Sequence, residues 1–337
     1  MEADNLLLKT IRDDLRSANR ILLVSHIRPD GDAIGSLLGF GLSLIAAGKQ
    51  VQLVLSDGVP ANFRFLVGSE LVKKQAEGNF DYRIVVDASE LERVGRALAD
   101  HPQPDLNVDH HVTNCLFGRR NLVLSDAAAT AEILARYLPD LGLSIPLASA
   151  NALLLGMVTD TIGFRTRNVT PNVLRTAAGL MDLGADLAGV YYYGLVARSF
   201  SAARFWGYGL SRVQLHDGIV WTSLSMADRS ASVYSGRDDA DLINVLSAVE
   251  DVDIALIFVE QSAGRVKISW RVCGQAEVDA DVSVIAQQFG GGGHRAAAGA
   301  DVNGSMDSVR DKVLNATQRY LDRVRGERVS PPDDHNS

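Results

Sequence analysis

Short apolar segments alternate with helix-patterned segments through the first half of this 337-residue chain. The strand-like segments are residues 20–24, 51–55, 84–86 and 106–108, and the helix-like ones are residues 3–18, 33–47, 127–138 and 147–158. Continuously apolar strands are typical of a sheet that is buried on both faces. Helices between such strands favour parallel connections. The first half is therefore predicted to be an α/β domain, in which helices cover both faces of a parallel sheet.

The second half has a different pattern. Strands are predicted over residues 218–226, 254–260 and 266–272, and helices over residues 238–249, 281–288 and 306–323. The last two strands are joined by a short turn, which indicates a smaller mixed α+β domain. The predicted organisation is a first domain over 1–185, a helical connector over 186–205, a second domain over 206–325 and a disordered polar tail over 326–337.

The composition limits the classes of partner. With 33 Lys and Arg against 41 Asp and Glu the net charge is −8, which argues against a protein that coats long nucleic acid with a broad basic face. Short anionic substrates remain compatible with a local basic pocket. The chain has two cysteines, no leader with a basic start and an apolar core, and no apolar run close to the ~20 residues of a membrane span. We therefore expect a cytoplasmic protein that does not enter a membrane.

Carboxylates and imidazoles recur where the predicted strands and one predicted helix end. The residues concerned are His26, Asp30, Asp32, Asp87, Asp109, His110, His111 and Asp160. The alternatives are structural: Asp32 could cap a helix that begins near Ala33, and Asp87 could cap another. Asp109-His110-His111 could form a polar turn, and Asp160 could be a surface residue. Taken together, however, three loops at the carboxyl edge of one parallel sheet would each deliver Asp or His to the place where ligands bind.

This set of donors predicts the kind of metal. Carboxylates with imidazoles and without thiolates suit Mn²⁺ or Mg²⁺ better than structural zinc. So many carboxylates around one ion would leave excess negative charge, so the sequence indicates two ions that share a carboxylate. Such pairs catalyse displacement at phosphorus.

The second half contains a candidate phosphate pocket. Four glycines, residues 290–293, come directly before His294 and Arg295. The N–H groups of such a loop can bind an anion, whereas the alternative is a flexible glycine turn. On the preceding strand Lys267, Ser269 and Arg271 alternate, so they share one face, which is either basic lining for a phosphate or a solvated surface.

In this order and spacing, the motifs resemble those of the DHH phosphoesterase superfamily with its DHH-associated C-terminal domain. The matching motifs are His26 with Asp30-Gly31-Asp32, Asp87, Asp109-His110-His111, Asp160 and the loop over 290–299. The resemblance covers the chain to about residue 325. The size and layout are similar to the compact RecJ-like branch, which comprises nano-RNases, pAp phosphatases and cyclic-di-AMP phosphodiesterases.

The resemblance implies a role for each residue of the site. One Mn²⁺ would be bound by His26, Asp30 and Asp87, and a second by Asp32, Asp87, His111 and Asp160, with Asp109 and His110 as supports. The implied catalytic set is Asp30, Asp32, Asp87, His110, His111 and Asp160. The implied substrate contacts are Arg271, Gly291, Gly292, Gly293, His294 and Arg295. Mg²⁺ or Co²⁺ would substitute for Mn²⁺.

The implied reaction is hydrolysis of short oligoribonucleotides, pAp or cyclic dinucleotides to 5′-mononucleotides, by water that two metal ions activate. Val272 departs from the family pattern, in which a serine often follows the arginine at Arg271, and this leaves the preference among those substrates open. The Tyr-rich connector and the apolar first domain are compatible with a homodimer.

Three other functions are weighed against this one. Pyrophosphatases and exopolyphosphatases of the superfamily resemble the first domain, but their C-terminal domains lack the glycine loop. A non-catalytic nucleotide-binding regulatory module would be favoured by a lost ligand, and every expected ligand is present. A dinucleotide oxidoreductase is disfavoured, because the loop after Val24 contains Asp30 and Asp32 and no G-x-G-x-x-G.

Overall fold

The computed structural model describes residues 4–98, 103–273 and 280–329, with the backbone alone at His294 and at 327–329. Within it the chain divides into two units, Met1–Ala197 and Arg198–Ser337. The division falls inside the predicted connector. The domain limits drawn from the sequence at 185 and 205 stay predictions.

The first unit is built on a six-stranded parallel sheet. Its strands are β1 (Arg20–Val24), β2 (Gln50–Val54), β3 (Val72–Lys73), β4 (Tyr82–Val86), β5 (Leu106–Asp109) and β6 (Arg120–Val123). They pair in the order β3-β2-β1-β4-β5-β6, and every pair is parallel, so the predicted fold class is confirmed. The order reverses between β1 and β4, and crevices at such a reversal are where α/β sheets bind ligands.

Both faces of this sheet are covered. In β1, Ile21 and Leu23 belong to one core cluster, whereas Leu22 and Val24 belong to another on the opposite face. Burial on both sides explains why the strands are continuously apolar. The covering helices are α1 (Asn5–Ser17), α2 (Gly31–Ala46), α3 (Thr130–Tyr137), α4 (Leu147–Asp160), α5 (Pro171–Asp182) and α6 (Leu187–Tyr191), followed by a π-helical turn over Tyr192–Val196.

Three elements of this unit were not predicted. β3 has only two residues and β6 is an edge strand with polar residues, so neither has the apolar run of a buried strand. α5 has a clear signal that could have been used, because Thr170 caps it and Pro171 occupies its first turn. Among the described helices, none is long and apolar enough to cross a membrane.

The second unit is a mixed sheet with helices. Its strands are β7 (Gln214–His216), β8 (Ile219–Leu224), β9 (Ile254–Ser262), β10 (Arg265–Val272), β11 (Gly292–His294) and β12 (Ala297–Asn303), in the order β11-β12-β10-β9-β8-β7. Only β8 and β9 pair in parallel among these strands. The helices are α7 (Phe200–Leu210), α8 (Met226–Ser232), α9 (Leu242–Leu246), α10 (Val282–Gln287) and α11 (Met306–Val329). The predicted mixed α+β class is confirmed.

The C-terminal helix is longer than predicted. α11 continues to Val329, six residues beyond the expected end at 323, so it includes the first four residues of the predicted tail. Residues 330–337 of that tail lie outside the described residues.

The glycine-rich segment, predicted from the sequence as a loop, forms a hairpin. β11 pairs with β12 in antiparallel register, and Gly292 lies opposite Gly299. A Cβ atom on Gly291 would lie 2.2 Å from the carbonyl oxygen of Gly299, and one on Gly293 would lie 2.5 Å from that of Ala297. Close approach of two backbones therefore requires these glycines.

Candidate metal centre

The carboxyl edge of the parallel sheet collects all the predicted metal-binding residues. His26 and Asp30 follow β1, Asp87 follows β4, and Asp109 is the last residue of β5, directly before His110 and His111. Asp32 lies in the first turn of α2, and Asp160 is the last residue of α4. The fold thus brings together residues that are up to 134 positions apart in the sequence, from His26 to Asp160.

One group of donors surrounds His26. Its Nε2 lies 3.8 Å from Oδ1 of Asp30 and 3.5 Å from Oδ2 of Asp87. Nδ1 of His26 lies 2.8 Å from the carbonyl oxygen of Ile27, which fits a tautomer that donates there and leaves Nε2 as an acceptor. The ligand atoms of His26, Asp30 and Asp87 all lie within 4.8 Å of one another, which is compatible with one ion.

Asp30, and not Asp32, caps α2. Oδ1 of Asp30 accepts hydrogen bonds from the amides of Asp32 at 3.1 Å and Ala33 at 3.0 Å. The helix accordingly begins at Gly31, two residues earlier than predicted. Because capping is done by Asp30, the carboxylate of Asp32 lies inside the protein.

A second group surrounds His110. Its Nε2 lies 3.6 Å from Oδ2 of Asp160 and 3.9 Å from Oδ1 of Asp87. The ligand atoms of Asp32, His110 and Asp160 also lie within 4.8 Å of one another. Oδ2 of Asp87 therefore faces His26 while its Oδ1 faces His110, the arrangement expected of a carboxylate shared by two ions.

The two histidines of the Asp109-His110-His111 motif have different surroundings. Nδ1 of His111 lies 2.7 Å from Oδ1 of the buried Asp109, and Oδ2 of Asp109 accepts a 2.6 Å bond from the Asn114 amide. Nδ1 of His110 lies 3.3 Å from the carbonyl oxygen of Ala127, which leaves its Nε2 toward Asp87 and Asp160. The ligand atoms of Asp87, His110 and His111 also lie within 4.8 Å of one another. His110 is thus a further candidate ligand, and the sequence-based assignment of His111 as the ligand stays a prediction.

The N-terminus of α3 holds the buried carboxylates. Asp32 accepts hydrogen bonds from the Thr130 amide at 2.7 Å, the Ala131 amide at 3.0 Å and Oγ of Ser36 at 3.2 Å. Oγ1 of Thr130 also donates to Oδ1 of Asp87 at 2.9 Å. Sequence reasoning missed these supports, because they lie in apolar helical segments and carry no ionisable group.

The carboxylates of the site repel one another. Burial, followed by the charges of Asp87, Asp160 and Asp30, raises the pKa of Asp32 well above its ordinary value, against the hydrogen bond from Ala131. Burial also raises the pKa of Asp160 to about 7, with Asp30 and Asp87 adding to it and His110 opposing. Burial by itself would raise the pKa of Asp87. The hydrogen bond and charge of His26 and the charges of His110 and His111 outweigh burial and hold this pKa far below the ordinary value.

The site residues fit divalent cations. Buried carboxylates of like charge at such distances are costly without positive charge, and a divalent ion supplies that charge. The donors are carboxylate oxygens and imidazole nitrogens, the set that Mn²⁺ and Mg²⁺ accept.

Backbone strain in the first unit is concentrated in the loops of this site. Its described non-glycine residues with positive φ are Arg28, Asp87, Leu116, Ile162 and Phe164. These residues follow β1, β4, β5 and α4, the elements that supply the donors. Such conformations cost free energy and cluster at functional sites, and for the β-branched Ile162 the left-handed conformation is especially unfavourable.

In the second unit, Lys267, Ser269 and Arg271 are half-buried on one face of β10, and Val266, Ile268 and Trp270 are buried on the other. Burial lowers the pKa of Arg271, and Asp239 and Asp241 act in the opposite direction. Its Nε–H is buried and donates to no acceptor among the described residues.

The glycine hairpin lies beside that arginine. Arg271 pairs with Ala297 of β12, which pairs in turn with His294 of β11, so the three positions share one face of the sheet. The amides of Gly290 and Gly291 donate to carbonyl oxygens of α10 and are not available to an anion. The carbonyl oxygen of Arg295 accepts the amide of Val282. The predicted contacts of the His294 side chain lie outside the described residues.

The sequence of the chain is similar to those of known proteins over both units. Residues 20–157 match the N-terminal domain of the DHH family, and residues 233–323 match the DHHA1 domain. The chain is 34% identical over 310 residues to the bifunctional oligoribonuclease and PAP phosphatase NrnA of Thermus thermophilus, an alignment that covers 90% of this chain and 91% of the relative. The chain belongs to the DHH family.

Solved structures share this fold as well. An exopolyphosphatase-related protein from Bacteroides fragilis matches with a TM-score of 0.84 and 23% identity, over 95% of this chain and 96% of that one. RecJ from Thermus thermophilus, solved in complex with Mn²⁺, matches with a TM-score of 0.50 and 12% identity, over 95% of this chain and 54% of RecJ. At these identities the two structures support the fold alone.

Proposed function

We propose that this DHH-family chain is a metal-dependent phosphoesterase that hydrolyses short oligoribonucleotides and pAp to 5′-mononucleotides. The observation that carries the proposal is Asp87, whose two carboxylate oxygens face two separate groups of metal donors. The name of the Thermus thermophilus relative, oligoribonuclease and PAP phosphatase, supports this choice of substrates. Cyclic dinucleotides, which the sequence also suggested, remain a further candidate substrate.

His26, Asp30 and Asp87 would hold one ion, and Asp32, Asp87, His110 and Asp160 the other. Mn²⁺ is the expected ion, with Mg²⁺ or Co²⁺ as substitutes. Bound divalent cations polarise phosphoryl oxygens and make water a stronger nucleophile at neutral pH. Thr130 and Ser36 keep the carboxylates oriented, and Asp109 with Asn114 fixes the ring of His111 beside Asp87.

Arg271 is the proposed phosphate contact of the second unit. The buried Nε of Arg271 has no acceptor among the residues that the structure describes, and an unsatisfied buried donor costs free energy. A phosphate oxygen would satisfy that donor through a charge-assisted hydrogen bond. Gly292, Gly293, His294 and Arg295 lie in or next to the adjoining hairpin and are proposed to contribute to the same binding.

A turnover panel tests the proposal. The purified chain with MnCl₂ is given pApA, a longer oligoribonucleotide, pAp, cyclic di-AMP and polyphosphate, each with and without EDTA. We expect EDTA-sensitive release of AMP from pApA or pAp, and no release by the Asp87→Asn variant purified in parallel. Cleavage of polyphosphate alone would instead indicate an exopolyphosphatase, and a complete lack of turnover would favour the regulatory module.

The homodimer and the cytoplasmic location that the sequence suggested stay predictions.

A further inference from the structure

Three aromatic side chains of the first unit form an exposed cluster, which we call the aromatic rim: Phe65, Tyr192 and Tyr193. Their exposed fractions are 37%, 53% and 47%. The ring centroids of Phe65 and Tyr193 are 4.8 Å apart, with an angle of 31° between the planes, and those of Tyr192 and Tyr193 are 5.1 Å apart. Large apolar rings that contact one another while exposed to water are typical of a binding surface.

The rings are exposed although the segments that carry them pack against the core. On the same segment as Phe65, the side chains of Phe63 and Leu66 are buried in the main core of the unit. Beside Tyr192, the ring of Tyr191 packs over Gly163, where a Cβ atom would lie 2.6 Å from the ring. Tyr191 itself is 39% exposed, and the buried side chain of its segment is Val190. Both segments therefore pack core side chains close to the rim residues and leave the rim residues at the surface.

The backbone turn that carries Tyr192 and Tyr193 packs against the end of α4, next to Asp160. The π-helical turn Tyr192–Val196 contains Gly194, and a Cβ atom there would lie 3.4 Å from Cγ2 of Thr159. Thr159 precedes Asp160 and also covers Gly31, where a Cβ atom would lie 2.2 Å from its Oγ1. Since Gly31 separates Asp30 from Asp32, one threonine separates the turn from the backbone that carries three of the proposed ligands. π-helical turns are frequent at functional sites.

The other side of the rim is connected to the same loops. The segment that carries Phe65 follows β2, and its Asp57 accepts a 2.6 Å hydrogen bond from the amide of Arg28. Arg28 belongs to the loop between His26 and Asp30. Both segments of the aromatic rim therefore adjoin loops that present metal donors.

We propose that the aromatic rim is a stacking platform for a nucleobase of the substrate, while a phosphate of the same molecule lies at the metal centre. This inference rests on the proposed function. The net charge of −8 argues against a broad basic face for oligonucleotides, so contacts other than charge would contribute part of the affinity. Every base has a π-face, and stacking on aromatic rings binds short single strands with little sequence preference.

The test asks whether the effect of removing the Tyr193 ring depends on the presence of a base in the substrate. KM and kcat for pApA are compared between the wild type, Tyr193→Ala, Tyr193→Phe and the exposed control Leu174→Ala on α5. The same enzymes are then given two pApA analogues that lack one base each, at either position. We expect Tyr193→Ala to raise KM for pApA about tenfold with little change in kcat, and Tyr193→Phe to retain the wild-type KM, because the ring remains. With the analogue that lacks the stacked base, wild type and Tyr193→Ala should have equal KM values.

Two results would overturn the platform. One is an equal loss with pApA and with both analogues, which indicates a general structural defect. The other is a change in sedimentation coefficient for Tyr193→Ala, which indicates a surface between copies of the chain.

Binding measured without turnover separates this inference from the proposed function. The fluorescence of a 2-aminopurine dinucleotide is titrated with the wild type and with Tyr193→Ala. Quenching that Tyr193→Ala weakens about tenfold supports the platform even if the wild type cleaves none of the panel. Equal quenching by both proteins rejects the platform even if pApA is cleaved.

Discussion

Thr130 connects two buried carboxylates of the metal centre, those of Asp87 and Asp32. Its hydroxyl donates to Oδ1 of Asp87 at 2.9 Å, and its amide donates to Oδ2 of Asp32 at 2.7 Å. These partners are 43 and 98 residues away in the sequence. The N-terminal end of a helix stabilises negative charge, so α3 orients the acids and offsets part of their repulsion.

Replacement of Thr130 by valine should weaken metal binding. Thr130→Val removes the hydroxyl bond to Asp87 and keeps the amide bond to Asp32, whereas Thr130→Ser keeps both. Because loss of an outer-shell hydrogen bond costs roughly 10–100-fold in metal affinity or activity, we expect this loss for valine and near-normal behaviour for serine. Calorimetric titration with MnCl₂ measures the metal affinity, and turnover of pApA measures the activity. Equal behaviour of Thr130→Val and the wild type would remove this role.

The shared position of Asp87 predicts loss at both ion sites. Asp87→Asn keeps the shape of the side chain but removes its charge, so we expect fewer bound Mn²⁺ ions per chain and no measurable turnover. Circular dichroism should show an unchanged fold. The control Asp182→Asn removes the same charge from an exposed position of α5 and should have no effect. Near-normal turnover by Asp87→Asn would contradict the two-ion assignment.

Replacement of each histidine in turn by alanine shows which of them binds the ion. Nε2 of His110 lies between Asp87 and Asp160, whereas Nδ1 of His111 is engaged by Asp109. His110→Ala should therefore bind one Mn²⁺ ion fewer, and His111→Ala should keep the ion count while kcat falls. Native mass spectrometry with Mn²⁺ gives the count. The opposite outcome would restore the assignment made from the sequence.

Two glycines should respond to alanine with opposite signs. In α2, a Cβ atom on Gly35 would lie 2.4 Å from the carbonyl oxygen of Ala152 in α4, so Gly35→Ala must push two helices apart. We expect a loss of about 1–3 kcal/mol in the free energy of unfolding. Gly179, in α5, has no atom within 4 Å of the corresponding position, so Gly179→Ala should stabilise by about 0.5–1 kcal/mol. Urea denaturation measures both, and a destabilised Gly179→Ala would contradict this packing.

The ion pair between Arg212 and Asp228 predicts a dependence of stability on pH. The hydrogen bonds from Arg212, at 2.6 and 2.7 Å, are the main cause that lowers the pKa of Asp228 to about 2, and bonds from Ser225 add to it. Since this value is below the ordinary 3.8, the stabilisation is complete above about pH 4 and is lost as the pH falls toward 2.

Arg212→Gln tests this pair. Asp228 is buried but Arg212 is 46% exposed, so with solvent screening the expected loss at pH 7 is about 1 kcal/mol. In urea titrations, the difference between Arg212→Gln and the wild type in the free energy of unfolding should decrease between pH 4 and pH 2.5. Arg310→Gln breaks ion pairs with the exposed Asp307 and Asp311 and should cost less than about 0.5 kcal/mol at either pH. A constant difference for Arg212→Gln across the pH range would contradict the mechanism.

Apolar patterning was sufficient to predict the elements with buried faces. The limits of β1 were predicted without error, and those of β2, β4 and α4 within two residues, because strands buried on both sides must be continuously apolar. Some of the elements that were missed contribute little apolar area. β3 has two residues, and β12 is built mainly from alanine and glycine, so its place in the sheet depends on close backbone contact with β10 and β11.

The sequence by itself determined which residues could bind metal and that they would meet at one edge of a parallel sheet. The carboxyl ends of all parallel strands lie at that edge. The positions of Asp and His residues after the predicted strands were therefore sufficient for this prediction. The tertiary structure alone decided the orientation of each side chain: Asp30 caps α2, Nε2 of His110 points toward Asp160, and Thr130 holds Asp87. Adjacent residues such as His110 and His111 are chemically the same in the sequence. They differ only through hydrogen-bond partners, Ala127 and Asp109, that folding brings to each ring.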